Sequence, residues 1–235
     1  VDALPEEENP ENLAPRWHTA LLVSLIVAVA LTGTLLARGT SATPAAVAGA
    51  NRLTDRLAFV YLPVLVVDWG LVLYVSRIGR GENALGRLIG RLPRTVGQLA
   101  GTVALALVGV LLIEVAEMLA GMWSGEGHGG GALVPMGVLE RVVWIAFAFT
   151  AGFCEEVIYR GYLQVQLAGP THRVALGIVL SALLFGLAHL DQGYAPAIRF
   201  AGYGLGLGLL ARGRQSLVPG IVCHVLVDAV SGLAR

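Results

Sequence analysis

Residues 150–164, TAGFCEEVIYRGYLQ, set two adjacent carboxylates, Glu155 and Glu156, and one guanidinium, Arg160, inside a run otherwise apolar enough for a bilayer. An ionisable group at mid-membrane costs at least about 2.5–3.5 kcal/mol on insertion scales, so such groups face a protein interior or water and have partners. Glu156 and Arg160 are four residues apart with the acid N-terminal, the favourable order for a helical ion pair. Glu155 is rotated by about 100° on a 3.6-residue helix and is not placed to share that arginine in the same way. One carboxylate is therefore expected to be structural and the other available for chemistry.

Two further segments carry helix-compatible polar sets. FGLAHL puts Phe185 and His189 on one face, and HVLVD does the same for His224 and Asp228. A histidine four residues from a carboxylate can have its ring oriented and its tautomer set by it. An acid and two imidazoles are the groups that general-base hydrolysis needs. Taken singly, each set has a plainer reading: a structural clamp at Glu156–Arg160, an interfacial or packed His189, a helix-stabilising His224–Asp228 pair. All three arising for such reasons in one apolar region is the less economical account. Asp68 is expected to cap a partner or line a cavity, and Glu114 and Glu117 to sit where a span meets water. Cys154 and Cys223 adjoin the candidate residues, but neighbours on a helix diverge by about 100°, so they read as small buried hydrophobes. HGGG at 128–131 looks like an oxyanion loop, yet no G-x-S-x-G accompanies it.

The chain has 235 residues, 56% hydrophobic and 14% charged, with a mean hydropathy of +0.73. That is a membrane composition. Net charge is zero and all sixteen basic residues are arginine, so nothing points to nucleic acid. A hydrocarbon core needs about 20 apolar residues per helix. Seven candidate spans follow: Trp17–Ala37, Phe59–Val75, Val96–Met118, Leu139–Val165, Val174–His189, Ile198–Ala211 and Leu217–Leu233. The expected fold is all-α, a polytopic transmembrane helix bundle. Residues 1–16 read as an acidic disordered tail and 17–138 as N-terminal transmembrane helices. Within the latter, the basic segment 77–94 is either an interfacial helix or a basic loop. Residues 139–235 form a catalytic core carrying the three motifs. The arginine distribution favours a cytoplasmic N-terminus.

Glu155-Glu156-x-x-x-Arg160, Phe185-x-x-x-His189 and His224-x-x-x-Asp228, in that order, resemble the three motifs of the CAAX-protease and bacteriocin-processing (CPBP, Abi-type) intramembrane endopeptidases, which include the Rce1-like enzymes. The resemblance covers residues 139 to 233. It implies that Glu155 activates a water, that His189 helps position it, and that His224 and Asp228 steady the oxyanion, with Glu156, Arg160 and Phe185 in support. The last motif often ends in Asn. Here it is Asp228, and an ionised Asp cannot donate to an oxyanion, so its expected role is to orient His224. The resemblance further implies a membrane-associated protein or peptide substrate and a multi-pass protein of the bacterial plasma membrane.

No cofactor is expected. The alternative is a zinc protease using Glu155, His189 and His224 as a His₂Glu set, although no HExxH is present. From a different class, a non-catalytic membrane scaffold or a proton-coupled transporter would also place acids and histidines in spans.

Overall fold

The computed structural model describes residues 13–39, 53–78, 84–124, 135 and 137–233. Among them are eight helices and no strand. Helix α1 is Arg16–Gly39. Helix α2 starts as Leu53–Arg56, passes through a π turn at Leu57–Tyr61 and continues as Leu62–Ile78. The short α3 is Ala84–Ile89 and α4 is Val96–Ser124. Helix α5 runs as Val138–Glu155, a π segment Glu156–Leu163, and Gln164–Ala168. Then come α6, Val174–Ala188, α7, Tyr194–Arg214, and α8, Val218–Leu233.

The seven long helices fall where hydropathy places the seven spans. Three of them, α1, α4 and α5, are long and apolar enough to cross a membrane, while α6 and α8 are apolar but shorter. Short helices of this kind suit positions sheltered by neighbours, where bilayer thickness constrains them less. Helix α5 occupies the middle: it packs on α2, α6 and α8, while α7 lies along α6 and α4 along α8. The outer surface is apolar, with Leu107, Leu111, Val142, Phe149, Leu183 and Leu209 exposed, whereas Glu140, Glu156, Arg160, Gln164 and Gln166 are buried. This arrangement, polar groups inward and leucines outward, is the one a hydrocarbon solvent selects.

Three expectations change. Within the stretch assigned by sequence to the tail, Ala14 is buried, and Gln166 Nε2 donates to its carbonyl (2.9 Å) and to Thr19 Oγ1 (2.9 Å), while Pro15 and Arg16 are exposed. The basic segment is not simply laid on a surface. Leu88 of α3 is in the core, its carbonyl lies beside Gly161 of α5, and Leu217 N donates to Ile89 O (2.8 Å). Its arginines 87, 91 and 94 remain exposed, so the leucine face docks on protein while the basic face points away. Finally, the helix that holds Arg160 is π-helical over Glu156–Leu163. Nothing in its residue types announces that extra residue per turn, although such π segments recur at functional sites. The Gly-rich loop with its HGGG, the side chains of Glu114 and Glu117, and residues 1–12 lie outside the described residues.

Helices α5 and α8 approach closely at Gly152, where an added Cβ would lie 2.8 Å from the backbone N of Val225. Gly152→Leu is expected to destabilise the folded protein by about 1–3 kcal/mol or more through overpacking, read as a lowered thermal unfolding midpoint in detergent.

Candidate active site

The polar cluster is assembled from α5, α6 and α8. On α5, Arg160 Nη1 donates to Glu156 Oε1 at 2.8 Å, the i,i+4 pair expected from spacing. On α8, His224 places Nδ1 3.0 Å from the same Glu156 oxygen. Glu156 is fully buried, so this carboxylate is held between a guanidinium and an imidazole. The close approach of α8 here is permitted by Gly220, where a Cβ would sit 3.1 Å from Glu156 Oε2.

The other nitrogen of His224 faces two different acids. Nε2 lies 3.7 Å from Glu155 Oε2 and 3.7 Å from Asp228 Oδ2. Both separations are longer than a direct hydrogen bond. Glu155 differs from its neighbour in access: its side chain is 19% exposed, against 0% for Glu156. The two adjacent glutamates are therefore separated into one engaged and one accessible carboxylate. Asp228 is not the group that holds Nδ1; Glu156 is. Glu156 thus meets one ring nitrogen of His224 and Asp228 lies near the other, and the contact between α5 and α8 that brings Glu156 to the ring cannot be read from either motif alone. The backbone of Asp228 is itself fixed, its carbonyl accepting from Trp144 Nε1 at 2.9 Å.

Helix α6 contributes Phe185 and His189. The Phe185 ring meets His189 and His224 edge-on, with centroids at 4.8 and 5.9 Å, and the Arg160 guanidinium sits 4.3 Å from its centroid. Phe185 thus covers the ion pair with a cation–π contact and keeps the two imidazoles apart. His189 has Nδ1 2.8 Å from the Phe185 carbonyl, and its ring stacks on Phe200 of α7 at 3.8 Å. With Nδ1–H donated to that carbonyl, Nε2 is the nitrogen left for other work. The backbone of the π segment is secured by Ser181 Oγ, which donates to Tyr159 O at 2.6 Å.

Among the described residues, no three His, Cys, Asp or Glu side chains converge in metal-ligating geometry. The alternative set Glu155, His189 and His224 is accordingly not gathered into a zinc site. Cys154 and Cys223 are buried free thiols, and Cys223 lies under α4 at Gly109.

Two spaces adjoin the cluster. A cavity of about 20 Å³ is lined by Phe185, Phe200, Tyr203, His224, Val227 and Asp228 among others. That is room for about one water. Beside it runs a groove of about 570 Å³ between α4 and α7, bordered by Leu105, Leu112, Gly202, Gly206 and Leu210, with Arg199 lining it as well. Ile113, Tyr203 and Leu207 line both spaces.

A helical protein with membrane-length apolar spans and an acid–imidazole cluster shielded between its helices has the makings of an intramembrane hydrolase. Comparison with known families is specific: residues 137–230 match the Rce1-like model, type II CAAX prenyl endopeptidase. The match contains all three motifs and implies an integral membrane protein with protease activity on membrane-associated protein substrates. No curated protein and no solved structure matches the chain.

Sequence reasoning left Asp68 without a specific role, yet it is buried in α2. A lone acid in an apolar span was the available signal. Removing one partner of a buried ion pair leaves an uncompensated charge, so Arg160→Met is expected to cost about 3–5 kcal/mol of folding stability, measurable as a shift in denaturant or thermal unfolding.

Proposed function

We propose that this protein is an intramembrane endopeptidase of the glutamic type, multi-pass in the bacterial plasma membrane, in which Glu155 activates water to hydrolyse a peptide bond of a membrane-associated substrate. The observation that carries the reading is the division of labour between adjacent carboxylates. Glu156 is consumed by Arg160 and His224, while Glu155 is partly exposed and faces His224 Nε2 at 3.7 Å.

Glu155 takes a proton from the water as its oxygen adds to the substrate carbonyl carbon. The developing oxyanion is met by the Nε2–H of His224, while His189 helps to position the water. With Nδ1 bonded to Glu156, a doubly protonated His224 has Nε2–H to give. The tetrahedral species collapses as the proton held by Glu155 passes to the amide nitrogen, and the C–N bond breaks to release a carboxylate and an amine. Asp228, beside the same Nε2, steers the ring edge; it does not itself donate. The apolar groove between α4 and α7 supports a lateral path by which an apolar substrate segment reaches the cluster from the bilayer. A non-catalytic scaffold has no comparable use for an accessible carboxylate set against an oriented imidazole; a proton-coupled transporter would, and the match to a protease family model favours hydrolysis over it.

Three outcomes are expected. Glu155→Gln abolishes cleavage of a farnesylated CAAX peptide by purified protein while the unfolding midpoint stays near that of the wild type; full retained activity removes Glu155 from this role. His224→Phe lowers turnover by about 10²–10³, the usual effect of losing an oxyanion donor, and restored turnover on adding zinc to chelator-treated wild type would instead favour a metal enzyme. Gly206 has open space around an added Cβ, so Gly206→Leu folds normally but fills the groove, raising KM severalfold with little change in kcat.

A further inference from the structure

The turn after α3 and the turn between α7 and α8 are sewn into one seam. Gly90 and Ser216 form an antiparallel bridge. Arg91 N donates to Gln215 O at 2.9 Å, and Leu217 N donates to Ile89 O at 2.8 Å. Gly90 has a φ of +78°, and a Cβ there would lie 2.5 Å from Gln215 O, so the seam requires glycine. Its inner side is firmly seated. Ser216 and Leu217 are buried, and a Cβ added at Gly161 of the π segment would meet Leu88 O at 3.1 Å and Leu217 Cδ1 at 3.2 Å.

The outer side is basic. One stretch brings Arg87, Arg91 and Arg94, the other brings Arg212 and Arg214, and all five are exposed. Residues 84–98 and 205–220 contain no Asp or Glu. Among the described residues, none of these five guanidinium groups has a hydrogen bond or an ion pair. Helix C-termini attract cations, which accounts for Arg87, Arg212 and Arg214. That does not account for Arg94, which stands just before the start of α4, where a helix favours an anion. Gathering like charges on one seam is unfavourable unless anions accompany them. The seam also lies at the start of α4, a helix of membrane-spanning length. Leu92 and Val96, beside the arginines, are 61% and 83% exposed. Exposed apolar and basic side chains in alternation suit the boundary between headgroups and acyl chains, whereas a free anion would leave Leu92 and Val96 in water.

We propose that this seam is a binding site for anionic phospholipid headgroups, with its arginines taking the phosphate oxygens and Leu92 and Val96 resting among the acyl chains. Guanidinium forks match phosphate oxygens two at a time, which suits arginine to the task. The backbone bridge gives the site its shape, because it holds together two basic stretches more than a hundred residues apart in the chain. The site stands apart from the hydrolytic reading and is tested without it. A lipid held there would load the seam against Gly161, the residue after Arg160.

The test exchanges the wild type into neutral-detergent micelles that contain equal amounts of phosphatidylglycerol and phosphatidylcholine with the same acyl chains. The lipid retained by the protein after gel filtration is then quantified by mass spectrometry, and unfolding midpoints are read in each lipid alone. The wild type is expected to retain phosphatidylglycerol over phosphatidylcholine by about fivefold or more, and to unfold at a higher temperature in the anionic lipid. Arg91→Gln/Arg214→Gln should lose both preferences. Arg16→Gln/Arg141→Gln removes the same charge from exposed arginines outside the seam and should keep them. Equal retention of the two lipids by the wild type would overturn the site. So would a loss of preference in Arg16→Gln/Arg141→Gln as complete as in the seam variant, which would make overall charge the cause. A midpoint shift reproduced by inorganic phosphate alone would overturn it as well, in favour of a free anion. If the double seam variant does not fold, Arg214→Gln takes its place; its preference should fall by at least about half, and an unchanged one overturns the role of the seam.

Discussion

The contact on which the site depends is the one between Glu156, Arg160 and His224. A carboxylate with no exposed surface is tolerable in a bilayer-embedded bundle only if its charge is met locally. Here one oxygen of Glu156 receives both Arg160 Nη1 and the Nδ1 side of His224. The first bond lies within one helix; the second ties α5 to α8 and turns the imidazole so that Nε2 looks toward Glu155 and Asp228. A structural ion pair thus also sets the orientation of the group proposed to stabilise the oxyanion. Phe185 seals it from a third helix by lying under the guanidinium.

The same constraint explains the architecture around the cluster. Glycines stand where α8 must approach α5, at Gly152 and Gly220. The first helices act as a buttress: the α1 end is clasped by Gln166, and α2 is pinned to α5 through Trp69. A second buried arginine–glutamate pair, Arg56 with Glu140, joined by the Tyr61 hydroxyl, anchors the start of α5 to α2 in the same manner. Helix α4 is more lightly held, touching α8 while leaving the groove along α7. The family-matched segment builds the motifs, and the helices before it supply the wall and the groove.

Much of this was legible in the residues. Hydropathy locates the seven long helices because each is a continuous apolar run, the shorter α6 and α8 included, and the i,i+4 spacing of Glu156 and Arg160 predicts their bond. The different surroundings of Glu155 and Glu156 follow from their angular separation. What escaped the sequence depends on contacts between helices. No local pattern shows that Glu156 bonds His224. Likewise Ala14 sits in an acidic stretch that reads as tail, and only Gln166, more than a hundred residues away, reveals it as packed. The π segment was invisible because backbone hydrogen-bond register has no signature in side-chain type here.

The most direct measurement of the account is an experimental structure of the protein with a phosphinate analogue of its peptide substrate bound. The account predicts one phosphinate oxygen within hydrogen-bond distance of Glu155 and the other near His224 Nε2, with Glu156 still on Arg160 and His224 Nδ1. A Glu156 that leaves Arg160 to meet the phosphinate, or an analogue bound away from Glu155, would contradict it.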